Sequence, residues 1–172
     1  MSNSEKTISE NFDFCIPFLI TNEIIVENKN ISLDDKDILR PDFILYSAEN
    51  QGMVILELKN ISNATRQAGT ELSAYAAEIR SQLIYMSDAD MINVIISSEW
   101  PTLLCHYVSH EILWMDRKIL CLKPINERNG KFFTIVDPKC FSVDLDINLS
   151  VFEVGGCQLC IYDNDCYLPR AC

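Results

Sequence analysis

Nowhere in the 172 residues does an apolar run approach the roughly 20 that a bilayer-crossing helix requires, so no membrane span is expected. The opening MSNSEKTISEN lacks the basic stretch and apolar core of a secretion signal, and the chain is read as intracellular and cytoplasmic. Internal repeats, low-complexity tracts and linkers are missing, which leaves one domain of ordinary size. Positive charge is scarce. Fourteen Lys and Arg stand against 25 Asp and Glu, a net charge of −11. Proteins that hold phosphate backbones usually present a basic surface. Here such a role needs local positive groups, a homo-oligomer or a partner subunit supplying them.

Histidine is nearly absent as well. His106 and His110 are the only two, four apart on one helical face. No third ligand is evident beyond Glu111 or Cys105, so both are read as ordinary helix surface.

What the chain does have is apolar content, 48%, enough for a globular core. It also has eight cysteines. In a reducing compartment these are thiols or metal ligands sooner than disulfides. Cys15, Cys105, Cys121 and Cys140 sit among apolar neighbours and read as small core residues. Cys157, Cys160, Cys166 and Cys172 crowd the C-terminus. They would suffice for a tetrahedral Zn2+ site, but only the first two are closely spaced, and they are read as incidental thiols.

Patterning divides the chain as follows. A polar start leads to a helix or loop around FDFCIPFLI. Ile24–Ile31 reads as a strand and SLDDKDIL as a charged turn. Arg40–Ser47 and Met53–Asn60 read as strands joined by AENQG, a connection of hairpin length. Ala64, Ala68, Leu72, Tyr75, Ile79, Leu83 and Met86 form one helical stripe, capped by Ser62 or Asn63. Met91–Ser97 is apolar enough for a strand buried on both faces. Trp100–Lys118 reads as a helix starting at Pro101. Ile119–Pro124 and Lys131–Val136 form a hairpin around NERNG, and the alternation after Pro138 suggests more strand. The expectation is an α/β fold with a mixed sheet flanked by helices. Residues 1–136 form its core and 137–172 a β-rich, Cys-containing extension of the same domain.

One constellation carries chemistry. Met53, Ile55, Glu57 and Lys59 share a strand face. Folding the hairpin between Glu49 and Asn50 sets Asp42 opposite Glu57, or within one residue of it. Directly opposed residues have Cβ atoms about 4.5–5.5 Å apart, and like charges there destabilise a sheet. A hard divalent cation such as Mg2+ offsets that repulsion while keeping several waters. Lys59 would sit beside it, placed to orient a water or to stabilise charge building on a phosphate. A solvent-facing strand pair of mixed charge is the plainer alternative.

Arg40-Pro41-Asp42, followed after a hairpin by Glu57-Leu58-Lys59 at the end of an apolar strand, resembles the PD-(D/E)XK nuclease superfamily, in its RecB-like and Shedu-like branch. The likeness covers roughly residues 10–125. It implies a restriction-endonuclease-like core of αβββαβ order. It implies Mg2+, or Mn2+ as a substitute, bound by Asp42, Glu57 and the backbone carbonyl of Leu58, with Lys59 assisting the attacking water. Many members place a glutamine on the next helix, here Gln67. Some follow it with a tyrosine one turn on, but here Glu71 stands at that place and Tyr75 one turn later. Many members also carry a glutamate on the first helix. ENFDFCIPFLI resembles the entry segment of these nucleases and makes Glu10 the choice, with Glu23 the second candidate. The implied function is metal-dependent hydrolysis of phosphodiester bonds, with DNA the expected partner, in defence, restriction or repair. The alternative is a non-catalytic domain of the same fold that binds protein or nucleic acid. A zinc-organised module built on the tail is a third.

Overall fold

The computed structural model describes residues 2–34, 38–59, 65–127 and 130–142, with backbone alone at 65–68, 126–127 and 130–131. Helix α1 spans Asn3–Cys15. It begins where a capping box can form: Ser2 Oγ accepts from the Glu5 N–H at 3.2 Å, and the Glu5 carboxylate accepts from the Ser2 N–H at 3.0 Å. A short helix α2, Pro17–Ile20, follows. The strands are β1 (Glu23–Glu27), β2 (Phe43–Ser47) and β3 (Gly52–Lys59). Then come α3 (Thr65–Gln82), β4 (Met91–Ser97), α4 (Thr102–Leu113), β5 (Lys118–Glu127) and β6 (Gly130–Ile135). The fold is mixed α/β, and its first elements run in the expected αβββαβ order, α2 being an added turn.

The six strands form one sheet in sequential order. β1, β2 and β3 are antiparallel neighbours, β3, β4 and β5 run parallel, and β6 returns antiparallel to β5. β4 is buried at all seven positions, as a nearly all-apolar sequence requires of a strand covered on both faces, and two of the seven, Asn93 and Ser97, are buried polar residues. Helix α1 is fixed to β5 through buried Asn11, whose side chain accepts from the Ile119 N–H at 3.0 Å and donates to the Arg117 carbonyl at 2.8 Å. Phe141 closes that end of the core, edge-on to both Phe12 and Trp100.

The hairpin between β2 and β3 turns on four residues, Ala48–Gln51, with Ser47 paired to Gly52. Its centre is the expected one. A Cβ at Gly52 would lie 2.5 Å from the Phe18 ring and 2.8 Å from the Asp90 carbonyl, so a side chain there would push α2 off the sheet.

Several boundaries differ from the expectations. β1 stops at Glu27 because Asn28 turns into left-handed backbone at φ 46° and donates its N–H to the Asp42 carbonyl at 2.9 Å. β2 starts at Phe43 and not at Arg40, since Pro41 has no N–H to give a ladder. α3 ends at Gln82, short of Leu83 and Met86, and Leu83 is exposed. α4 ends at Leu113, and Asp116, at φ 51°, redirects the chain so that Lys118 opens β5. The β5–β6 hairpin is longer than expected. Pro124 is accommodated because β4 pairs with β5 only as far as Leu122. Cys15 and Cys121 are core residues, as read, and Cys105 is half-buried, but Cys140 is exposed on the short Pro138–Phe141 turn. Residues 143–172, with the four tail cysteines and the expected further strand, lie outside the described residues, as does the α3 cap at Ser62 or Asn63. Among the described residues no helix is long and apolar enough to cross a membrane.

Candidate active site

The register of the β2–β3 hairpin decides what meets at its open end. Phe43 pairs with Leu56, so Asp42, one step earlier, comes opposite Glu57. Asp42 is outside the ladder, at a bend, and its carboxylate takes a different bond. Its Oδ2 accepts the Leu58 N–H at 2.6 Å, a charge-assisted bond of short length. The Asp42 main chain is held from the other side by Asn28.

Glu57 and Lys59 lie on the face of β3 that α3 covers, and both are nearly closed off, 7% and 9% exposed. Lys59 Nζ donates to Glu57 Oε1 at 2.9 Å and also to Glu71 of α3. Leu58, between them, points the other way and is 48% exposed. This alternation is what a pleated strand imposes on the sequence Glu-Leu-Lys. The second Glu57 oxygen, Oε2, is buried and has no hydrogen-bond partner among the described residues.

Glu57 and Lys59 are therefore buried together, with the partly exposed carboxylates of Asp42 and Glu71 at the margin of the same cluster. Burial pushes the Glu57 carboxyl above its ordinary value. The hydrogen bond and charge of Lys59 oppose this, while Asp42 and Glu71 add to it. Lys59 feels burial as a downward pull, but its bonds to Glu71 and Glu57 outweigh that and hold its pKa above the ordinary lysine value. Tyr75, one turn beyond Glu71, is buried and donates its hydroxyl to the Arg40 carbonyl at 3.1 Å. Burial raises its pKa, and the charges of Glu57, Glu71 and Asp42 raise it further. That bond ties the Arg40–Asp42 segment to α3.

Of the residues singled out in the sequence, Asp42, Glu57 and Lys59 are brought together. Gln67 lies in the first turn of α3, and its side chain is outside the description. Glu10 is not brought to this cluster. It sits on the exposed face of α1, 3.7 Å from Lys6, because α1 turns Ile8, Asn11, Phe12 and Cys15 inward instead. Glu23, the second choice, opens β1 with its side chain exposed. Glu71 was not given a role in the sequence. Its spacing of four from both Gln67 and Tyr75 puts it on their side of the helix, which is the signal that could have found it. His106 and His110 line an open cleft of about 640 Å³ between α3 and α4, with Gly69, Ser73 and Tyr107.

Among the described residues no three His, Cys, Asp or Glu side chains gather as a metal cage. Mg2+ does not ask for one, since it binds through one or two carboxylates and retains its waters. Glu57 Oε2, without a hydrogen-bond partner among the described residues and at the strand position opposite Asp42, fits that demand. No family profile matches the chain. No curated protein matches it either. Among solved structures it is similar to Pyrococcus furiosus SfsA in complex with Ca2+, at a TM-score of 0.40 and 16% identity. The match covers 77% of this chain and 59% of that one, so the chain spans less than two thirds of that protein. A likeness at that level bears on neither family nor activity.

Proposed function

We propose that this chain is a Mg2+-dependent nuclease that hydrolyses phosphodiester bonds in DNA. The observation that carries the reading is the buried Glu57 Oε2, without a hydrogen-bond partner among the described residues, on a residue opposite Asp42 and bonded to Lys59 at the open end of the β2–β3 hairpin. Asp42, Glu57 and the Leu58 carbonyl would hold the ion. Bound there, Mg2+ would supply Lewis acidity toward a phosphate oxygen and a lowered pKa for a coordinated water. The chain's own part is to place charge. Glu57 and Asp42 concentrate negative potential where a cation is wanted, and the Leu58 N–H orients Asp42. Lys59, kept protonated by its two carboxylate partners, is a buried cation at the point where phosphate charge would build. Tyr75 fixes the backbone that delivers Asp42.

One feature favours the alternative, a domain of this fold that binds without cleaving. Lys59 is already satisfied by two carboxylates. In a working site it would have to exchange Glu57 for substrate. The deciding experiment is cleavage of plasmid and oligonucleotide DNA in Mg2+ and in EDTA. Wild type should cleave only with the ion. Lys59→Ala should be slower by about a hundredfold or more while its fold survives, the usual size of a lost transition-state donor. Cleavage by Lys59→Ala at the wild-type rate, or none by wild type, would reject the nuclease reading.

A further inference from the structure

The shortage of positive charge makes the position of each unpaired cation informative. Most of the described ones are engaged. Lys6 pairs with Glu10, Lys59 with Glu57 and Glu71, and Lys118 with Asp116, while Arg80 and Arg117 share Asp88. Among the cations whose side chains are described, Lys29, Arg40, Lys123 and Lys139 have no ion-pair partner among the described residues, and all four are exposed.

Three of these four lie at one end of the sheet. The strand directions bring the end of β1, the start of β2 and the ends of β3, β4 and β5 to that same edge. Lys29 follows Asn28, whose N–H is bonded to Asp42. Arg40 precedes Asp42 by two residues, and its carbonyl is the one Tyr75 holds. Ile31 N–H donates to the Leu39 carbonyl at 2.8 Å, which lays the two segments side by side and brings Lys29 within one residue of facing Arg40. On the other flank, Lys59 pairs with Ser97 and Ile96 with Leu122. Lys123 is one step further, in line with Ser97 and Lys59. Lys139 is elsewhere. It follows Val136, whose N–H reaches back to Cys121, toward the opposite end of β5.

Resting on the nuclease reading above, we infer that Lys29, Arg40 and Lys123 form a phosphate-binding row that holds a DNA backbone across the Asp42–Glu57–Lys59 cluster. Neighbouring strands lie about 4.8 Å apart, so a row from β1 to β5 runs roughly 20 Å. Each DNA strand presents a phosphate about every 3.4 Å of helix axis, so the row spans several of them. Lys29 and Arg40 would take phosphates on one side of the cluster and Lys123 those on the other. The edge at the C-terminal ends of parallel strands is also where open α/β sheets take their ligands. Three of the four cations left unpaired among the described residues thus stand beside the cluster, where an acidic chain needs positive charge to hold a phosphate backbone.

The test is the salt dependence of binding of a fluorescein-labelled DNA duplex, measured by anisotropy in EDTA, where binding is read without cleavage. Lys29→Gln, Arg40→Gln and Lys123→Gln are exposed changes, compared singly and together with Lys139→Gln as the control. Each should lower the slope of log affinity against log salt by about 0.9, and the triple variant by about 2.7, with the control unchanged. A triple variant with the wild-type slope, an equal effect from Lys139→Gln, or no DNA binding by wild type would each overturn the inference. Binding that follows these slopes in a protein that does not cleave would sink the nuclease reading and leave the row standing. Cleavage with unaltered slopes would do the reverse.

Discussion

Asp42 Oδ2 accepts the Leu58 backbone N–H at 2.6 Å, so one strand's carboxylate caps the next strand's main chain immediately beside Glu57. The bond explains how a charge can be kept facing another charge. Asp42 is held there by a donor that does not belong to the ion pairs of Lys59.

Asp42→Asn should therefore raise the melting temperature in EDTA and lower it relative to wild type in excess Mg2+. The asparagine oxygen still accepts from Leu58, while a carboxylate that raises the Glu57 pKa is gone. With Mg2+ at a hundredfold excess over its dissociation constant, wild type gains about 2.7 kcal/mol by mass action, most of which the variant loses. Asp42→Ala separates the two terms, since losing the bond to Leu58 costs about 1 kcal/mol in either buffer. Melting curves in both buffers decide it. An asparagine variant less stable than wild type in EDTA would mean that the charge of Asp42 serves the fold, through its bond to Leu58, and not a site for a cation.

Glu71 gives a second handle, because it meets Lys59 from the helix while Glu57 meets it from the strand. Glu71→Gln leaves an acceptor in place and should change stability by no more than about 1 kcal/mol. Glu71→Leu leaves the buried ammonium with Glu57 alone and should cost about 3 kcal/mol. Urea denaturation of the two variants measures the difference. Equal stabilities would show that Lys59 does not depend on the helix.

The hairpin was legible in the sequence because its side chains alternate with period two and its turn has a definite centre. Those two facts fix the register, and the register alone sets Asp42 against Glu57. The buried β4 was legible for a similar reason, since a short strand apolar at five of its seven positions, on both of its faces, has to be covered on both. Glu10 was not, because a helix face is chosen by the core it packs against. Ile8, Asn11, Phe12 and Cys15 win that choice and turn Glu10 outward. Glu71 was missed because its partner lies on another element, and pairing between a helix and a strand leaves no period in the sequence. The early ends of β1 and α4 depend on Asn28 and Asp116 taking left-handed backbone, which these residue types permit without requiring.

Glu57 gives the last prediction, through pH. Its carboxyl is held above the ordinary value of 4.5, first by burial, with the charges of Asp42 and Glu71 adding to what Lys59 takes away. The folded protein thus binds this proton more tightly than the unfolded chain does. Its contribution to stability is fully present below the unfolded value and is lost as pH rises through the folded one. In EDTA, wild type should gain ground on Glu57→Gln as pH falls from neutrality toward 4.5, because glutamine has no proton to take up. Mg2+ affinity should move the other way, since the ion needs the carboxylate and competes with that proton, weakening by about tenfold per pH unit below the folded value. Paired melting curves across this range, with calorimetric Mg2+ titrations of wild type at the same pH values, test both halves. A stability difference that is flat or tilts toward the variant at low pH would mean that Glu57 stays ionised in the fold. A Mg2+ affinity indifferent to pH would move any ion to carboxylates other than Glu57.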